Sequence, residues 1–437
     1  MEREFYKKLL NWKKSDLRKP LVLRGARQVG KTYILQEFAK NEYDDYIYLN
    51  FDEYPNLCSF FDNDLDPLRI LQDLKIYFKK DINPKKTLII FDEIQECPNA
   101  LASLKYFCEK TNEYHIASAG SLLGVKLTTS FPVGKVNFLD LAPLSFFEFL
   151  QANEEIELLN MLKKIKSSKA ITDIFHKKLI KLLKTYFIIG GMPEAVAIYL
   201  KTKDFENVRK IQKEILDAYI LDFAKHAPKE DVMKIMSVWN SIPNQLAREN
   251  KKFIFSAIIK SARAREYEAS IEWLKSAGLI LRSNNISTSK LPLEAYANKQ
   301  SFKIFLLDVG LLGAMSNLDP IVILENDKLF QEFKGSLTEN YVACELHDQH
   351  FEKLFYWTLN NIAEVDFIVS MNQKIFPLEV KGGTSTKKKS LLAYDKKFLN
   401  EDNYSNILSR TSLRNFAHDG KIINYPLYAV CLFPHLN

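Results

Sequence analysis

Residues 25–32 read GARQVGKT, and Gly25, Gly30, Lys31 and Thr32 fill every fixed position of the pattern G-x-x-x-x-G-K-[ST]. An apolar triplet, Leu21-Val22-Leu23, stands before the stretch, and a helical pattern over 31–40 follows it. Strand, glycine-bearing turn and helix, in that order, make a phosphate-cradling loop. The glycines let the backbone curl so that its N–H groups converge on anionic oxygens. The helix adds the positive end of its dipole. Ala26, Arg27, Gln28 and Val29 complete the loop, and Tyr33 follows it. In this arrangement Lys31 reaches the β- and γ-phosphates of ATP, and Thr32 holds Mg²⁺.

A second stretch lies downstream where such a loop needs one. Residues 87–93, TLIIFDE, form a continuous apolar run that ends in two acids. This is the pattern of a strand buried on both faces of a parallel sheet, and its carboxyl end faces the ligand crevice. Asp92 is placed to bind the Mg²⁺ shell, and Glu93 to orient and polarise the attacking water. Residues 46–51 and 114–117 read as neighbouring strands, 1–12 and 68–78 as helices.

The bulk numbers set bounds. A chain of 437 residues with 47% hydrophobic and 26% charged residues buries a core in each of two to four domains. Net charge is +7, which suits a polyanionic partner or simply a lysine-rich surface. The five cysteines, Cys58, Cys97, Cys108, Cys344 and Cys431, form no CxxC pair. That pattern suggests neither a zinc knuckle nor a disulfide framework and points to reducing cytoplasm. The start, MEREFYKKLLNWKK, lacks an apolar core of the leader type, and no uncharged apolar run approaches ~18 residues. No membrane partner is expected.

The runs GARQVGKT, FDEIQ (91–95), AGSLLG (119–124), PLSFFEFL (143–150) and GGMPEAV (190–196) together resemble a family of prokaryotic AAA-type ATPases. In that family a C-terminal domain of unknown function is similar to PD-(D/E)xK nucleases. The resemblance extends over nearly the whole chain. It implies a P-loop parallel sheet with a helical lid, and a polar γ-phosphate sensor at the tip of the strand near 114–117. Ser121 is the first choice for that sensor and Ser118 the alternative. AAA-type hydrolysis usually needs an arginine finger; none is assigned, and Lys135 stands where relatives often carry a basic residue. Rings are common in such proteins, which leaves room for a homo-oligomer.

The resulting organisation is α/β: a P-loop domain over 1–150, a helical lid over 151–230, a winged helix over 231–322 and a restriction-endonuclease-like α/β domain over 329–437. The winged helix is read from helices at 231–250, 252–261 and 266–277, then a strand at 279–283 opening a hairpin. If it binds DNA, Arg263, Arg265 and Lys275 face Glu266, Glu268 and Glu272 on the helix that would enter the groove. Residues 306–315 close its core, and 325–328 are a linker.

In the last domain a helix over 335–347 carries Glu339 on a largely apolar face, with Val342, Ala343 and Leu346. Strands follow at 353–358, 364–370 and 374–381, with Asp366 on the second and Glu379-Val380-Lys381 on the third. Segments 404–409 and 422–433 supply closing strands. Asp366 and Glu379 are hard oxygen ligands for Mg²⁺ or Mn²⁺, Glu339 completes the shell, and Lys381 orients water and offsets charge on a phosphate. Two carboxylates ~5 Å apart repel by about 3 kcal/mol at an effective dielectric of ~20, so three together call for a cation. Lys387-Lys388-Lys389 and Lys396-Lys397 flank the site as candidate contacts to DNA phosphates. Two functions follow: an ATPase coupled to DNA binding or cleavage, or a nucleotide-dependent switch that binds DNA or protein and cuts nothing.

Overall fold

A computed structural model describes residues 3–121, 132–248, 251–320, 323, 331–359 and 362–436. The chain divides into two compact units, Met1–Ala142 with Ser276–Gly278, and Pro143–Lys275 with Leu279–Asn437. The boundaries read from the sequence at 231 and at 322–329 fall inside the second unit. Residues 122–124 of the AGSLLG run and the linker at 325–328 lie outside the described residues.

In the first unit, α1 (Tyr6–Lys14), β1 (Leu21–Arg24), α2 (Lys31–Glu42), β2 (Asp45–Asn50), α3 (Pro67–Phe78), β3 (Thr87–Asp92), α4 (Pro98–Lys110), β4 (His115–Ala119) and β5 (Asn137–Asp140) follow one another. The sheet runs β2-β3-β4-β1-β5 and every pairing is parallel. β3 is buried at all six positions, as a central parallel strand must be. Its Phe91 packs with Phe51, Phe61 and Phe107 in the apolar layer on one side of the sheet.

The second unit opens with helices: α5 (Phe146–Ala152), α6 (Ile156–Lys163), α7 (Asp173–Ile189), α8 (Pro193–Thr202), α9 (Phe205–His226), α10 (Val232–Leu246) and α11 (Ala264–Ser276). Ser145 caps α5, accepting from Glu148 N while Glu148 accepts from Ser145 N, a reciprocal cap that starts this short helix. Then come β6 (Ile280–Ile286), β7 (Ala297–Leu306), α12 (Val309–Met315), α13 (Gln331–Asp348), β8 (Leu354–Leu359), β9 (Ala363–Met371), β10 (Lys374–Val380), α14 (Lys389–Phe398), β11 (Leu408–Ser412), β12 (Ala417–Asp419) and β13 (Ile422–Pro426). These strands form one mixed sheet, β12-β13-β11-β10-β9-β8-β6-β7. The β6–β7 hairpin is antiparallel, and β6 joins β8 in parallel.

The GGMP break between α7 and α8 is a packed joint. Gly190 has φ of +72°, and a Cβ on Gly191 would stand 2.0 Å from Leu144 O. Gly191 N donates to Asp308 Oδ2 at 2.6 Å, while Asp308 Oδ1 accepts from Leu311 N at 2.8 Å and caps α12. Burial pushes the Asp308 carboxyl up to about 6, against the pull of the backbone N–H groups that favour its charged form.

Two local expectations are corrected. The helix expected over 252–261 is reduced to a 3-10 turn, Phe255–Ala257. Gln245 clamps Ile254 through both its amide atoms, at 2.9 and 3.0 Å, and Phe253 stacks on Phe302 while donating N–H to Phe302 O at 2.7 Å. Those tertiary bonds outweigh local helix propensity. The last strand stops at Pro426, and Leu427–Leu432 continues as a 3-10 turn, because proline offers the ladder no N–H.

Candidate functional site

The loop after β1 has the backbone that its glycines permit. Gly25 has φ of +148°, and a Cβ there would lie 2.3 Å from Leu141 O. Gly30, at φ +93°, starts α2. Gln28 also has a positive φ, +66°. Ala26 and Val29 are buried, Arg27 is half-buried, and Tyr33 is exposed on the first turn of α2. Lys31 is buried, and its ammonium donates to Gly25 O at 3.0 Å, Ala26 O at 2.7 Å and Ser121 Oγ at 3.0 Å. Ser118 instead donates to Leu21 O at 2.8 Å inside the β1–β4 pairing. Of the two serines, Ser121 is therefore the one beside Lys31.

Asp92, at the carboxyl end of β3, faces the loop. Its Oδ2 accepts from Thr32 Oγ1 and from the Tyr48 hydroxyl, each at 2.7 Å, and its Oδ1 accepts from Glu93 N at 3.0 Å. Glu93 turns out of the strand at φ +49°, and Gln95 Nε2 donates to its Oε2 at 2.5 Å. Lys135 pairs with Glu109 at 3.0 Å on an open face. The donor set suits a nucleotide with Mg²⁺. The loop backbone and Lys31 would take phosphate oxygens, and Thr32 with Asp92 would take the ion, hard oxygens for a hard cation.

At the C-terminal acids the structure is different in kind. Leu378 pairs with Phe367 across β10 and β9. One further step of that register sets Glu379 opposite Asp366, on one face. Asp366 Oδ2 accepts from Val380 N at 2.7 Å. Glu379 Oε1 accepts from Lys381 Nζ at 2.7 Å, while its buried Oε2 has no hydrogen-bond partner among the described residues. Glu339, on α13, is held by two lysines, Lys251 at Oε1 and Lys303 at Oε2, the latter at 3.5 Å. Lys303, fully buried on β7, also pairs with Glu364 and stands 3.9 Å from Asp366 Oδ1.

Burial raises Asp366 to about 8, and the charge of Glu339 adds to that. Burial also pushes Glu339 up, but Lys251 and Lys303 outweigh it and hold the group below its ordinary value. Burial raises Glu379 in spite of Lys381. Among the described residues no group of three or more His, Cys, Asp or Glu side chains is arranged to hold a metal ion. Glu339 already has a lysine on each of its oxygens, and Asp366 has one oxygen on Val380 N–H.

Sequence reasoning missed Lys251 and Lys303. The available signal was a lysine inside an apolar strand, SFKIFL at 301–306, since a buried ammonium needs acids. It also missed Arg410, fully buried beside Glu379 in the β10–β11 register, whose Nη1 and Nη2 have no hydrogen-bond partner among the described residues.

The five-stranded parallel sheet, the loop after β1 and the acids ending β3 define an AAA-type P-loop NTPase domain. Residues 17–150 match the family model described as "AAA domain". Residues 180–321 match "Domain of unknown function (DUF8612)" and residues 334–429 match "Domain of unknown function (DUF4143)". No curated protein matches the chain. Among solved structures, it is similar to the Walker-type ATPase PABY2304 of Pyrococcus abyssi, at 15% identity, over 72% of this chain and 95% of that one, with a TM-score of 0.45. DnaA from Aquifex aeolicus, bound to AMPPCP, is 16% identical over 62% of this chain and 85% of its own, with a TM-score of 0.28. The ORC1 protein of Aeropyrum pernix, in complex with DNA, is 12% identical over 73% and 92%, with a TM-score of 0.28. No helix among the described residues is long and apolar enough to cross a membrane.

Proposed function

We propose that this chain is a Mg²⁺-dependent ATPase whose nucleotide state controls a DNA-engaging C-terminal region. The observation that carries the reading is the 2.7 Å bond from Thr32 to Asp92, with Glu93 next along the chain and Lys31 inside the loop. Lys31 gathers the β- and γ-phosphates, and Ser121, beside it, senses the terminal one. Glu93 orients water for in-line attack on the γ-phosphorus. Mg²⁺, when bound at Thr32 and Asp92, neutralises charge on the phosphate oxygens. ATP turnover by the purified chain should disappear in Lys31→Ala. Equal turnover in that variant would refute the assignment.

The C-terminal part of the proposal is a PD-(D/E)xK-like fold behind a winged helix. Its support is the order of parts: α13 with Glu339, then β8, β9 with Asp366, and β10 with Glu379 and Lys381. On α14 and the turn before it, Lys387, Lys388, Lys389, Lys396 and Lys397 are exposed, a surface suited to backbone phosphates. On α11 Arg265 and Lys275 are exposed, as is Arg263 just before it, while Arg282 engages Glu268 and Glu272 at 2.6 and 3.0 Å. Cleavage would rest on Glu339, Asp366, Glu379 and Lys381, with Mg²⁺ or Mn²⁺. The lysines on Glu339 favour the second reading, a switch that binds DNA without cutting it. Branched, linear and single-stranded DNA offered with each ion, with and without ATP, separates the two.

A further inference from the structure

The acids at the C-terminal site already have cations. Lys303 is fully buried. Its ammonium touches Glu364, lies 3.5 Å from Glu339 and 3.9 Å from Asp366, and sits 5.0 Å from the centre of the Tyr356 ring. Lys251, itself largely buried, takes the other oxygen of Glu339. Three elements contribute acids and bases: α13, β9 and β7, with the 251 segment as a fourth strap. An ammonium in a sheet interior is tolerated only when carboxylates surround it, and breaking one side of such a pair strands the other. A divalent ion on Glu339 and Asp366 would have to share their oxygens with two ammonium groups, and like charges at that range oppose each other strongly.

We propose that Lys303, with Lys251, is the resident cation of this acidic site, so that the C-terminal domain holds no divalent ion there and hydrolyses no phosphodiester. The network clamps β7 and the 251 segment onto α13 and β9. Both lysines come from the stretch matching one domain of unknown function, and the acids from the stretch matching the other. The site is thus closed by a neighbour in sequence rather than left open to solvent metal. This inference rests on the reading of these acids as a nuclease-like constellation, and it names the form in which that constellation persists.

The test is Mn²⁺ binding to the full chain without nucleotide, followed by electron paramagnetic resonance. Wild type and Asp366→Asn should bind the same number of ions. Lys303→Met should gain one Mn²⁺ per chain, and Lys303→Met with Asp366→Asn should lose it again. A wild-type ion that Asp366→Asn removes would overturn the proposal. So would a folded Lys303→Met chain that gains nothing. Should Lys303→Met fail to fold, the comparison of wild type with Asp366→Asn still decides. Lys303→Arg, which keeps the charge, should fold and bind no added ion; an added ion there would also overturn the proposal. DNA binding, read in parallel by gel shift, reports on the broader functional reading: its absence in wild type would sink that reading without touching the metal result.

Discussion

Tyr48 on β2 reaches across to β3 and donates its hydroxyl to Asp92 Oδ2 at 2.7 Å, the oxygen that Thr32 also holds. Two hydroxyl groups from two elements therefore fix one carboxylate. Groups that orient a metal ligand commonly carry 10–100-fold in affinity. Tyr48→Phe should raise the Mg²⁺ concentration needed for half-maximal ATP turnover by about tenfold, with little change at saturating Mg²⁺. A magnesium titration of the ATPase rate checks it.

Glu93 leaves the strand in a left-handed conformation and is gripped by Gln95. Glu93→Gln should keep nucleotide binding and lower kcat by about 10²-fold or more, the usual scale for a lost general base. Gln95→Ala should lower kcat several-fold with KM unchanged, because it frees the orientation of Glu93 and not the phosphate contacts. Steady-state kinetics beside binding of a fluorescent nucleotide distinguishes these outcomes.

Gly191 has no room for a methyl group, with Leu144 O 2.0 Å and Leu144 N 2.7 Å from where it would go. Leu144 N donates to Gly191 O at 2.7 Å, so the two backbones cannot part without losing that bond. Gly191→Ala should destabilise the second unit by roughly 3 kcal/mol, the upper part of the range for overpacking. Urea unfolding measures it. Gly383, half-buried but with nothing within 4 Å of where a Cβ would go, should accept alanine at little cost.

His115, on β4, is buried against Trp12 and shares a 2.8 Å hydrogen bond with the Tyr43 hydroxyl. Burial, with Arg18 and Lys13 nearby, lowers its pKa to about 3. Between that value and the ordinary ~6.5, the unfolded chain takes up a proton that the folded chain refuses. Stability from this residue is complete above ~6.5 and is lost as pH falls toward 3, by at most about 1.4 kcal/mol per pH unit. Urea unfolding of the first unit at pH 7 and pH 5, followed by hydrogen-exchange pulses at one labelling pH, should show the loss, and His115→Gln should flatten it.

The first site was legible because its chemistry is local: Gly25, Gly30, Lys31 and Thr32 lie in eight residues, and Asp92 and Glu93 end a single strand. The acids at 339, 366 and 379 were legible one by one, and the structure puts Glu379 opposite Asp366. What filled the space between Glu339 and Asp366 was not legible. Lys303 precedes Glu339 and Glu364 by a long stretch of chain, and only the β6–β7 hairpin's place in the sheet brings them together. The 252–261 segment misled for a related reason: an apolar, aromatic run reads as a helix by itself, yet Gln245 and Phe302 hold Ile254 and Phe253 and leave room for only a 3-10 turn after them.

The strand order carries a historical consequence. Residues 283–285 of the hairpin pair in parallel with 354–356, so two stretches that could pass for separate cassettes share one ladder of backbone bonds. A recombination that swapped either alone would bare a row of N–H and C=O groups on each half, ready to capture a foreign strand. Descent would keep the pair intact, and any relative that carries one without the other must have found a different cover for that seam.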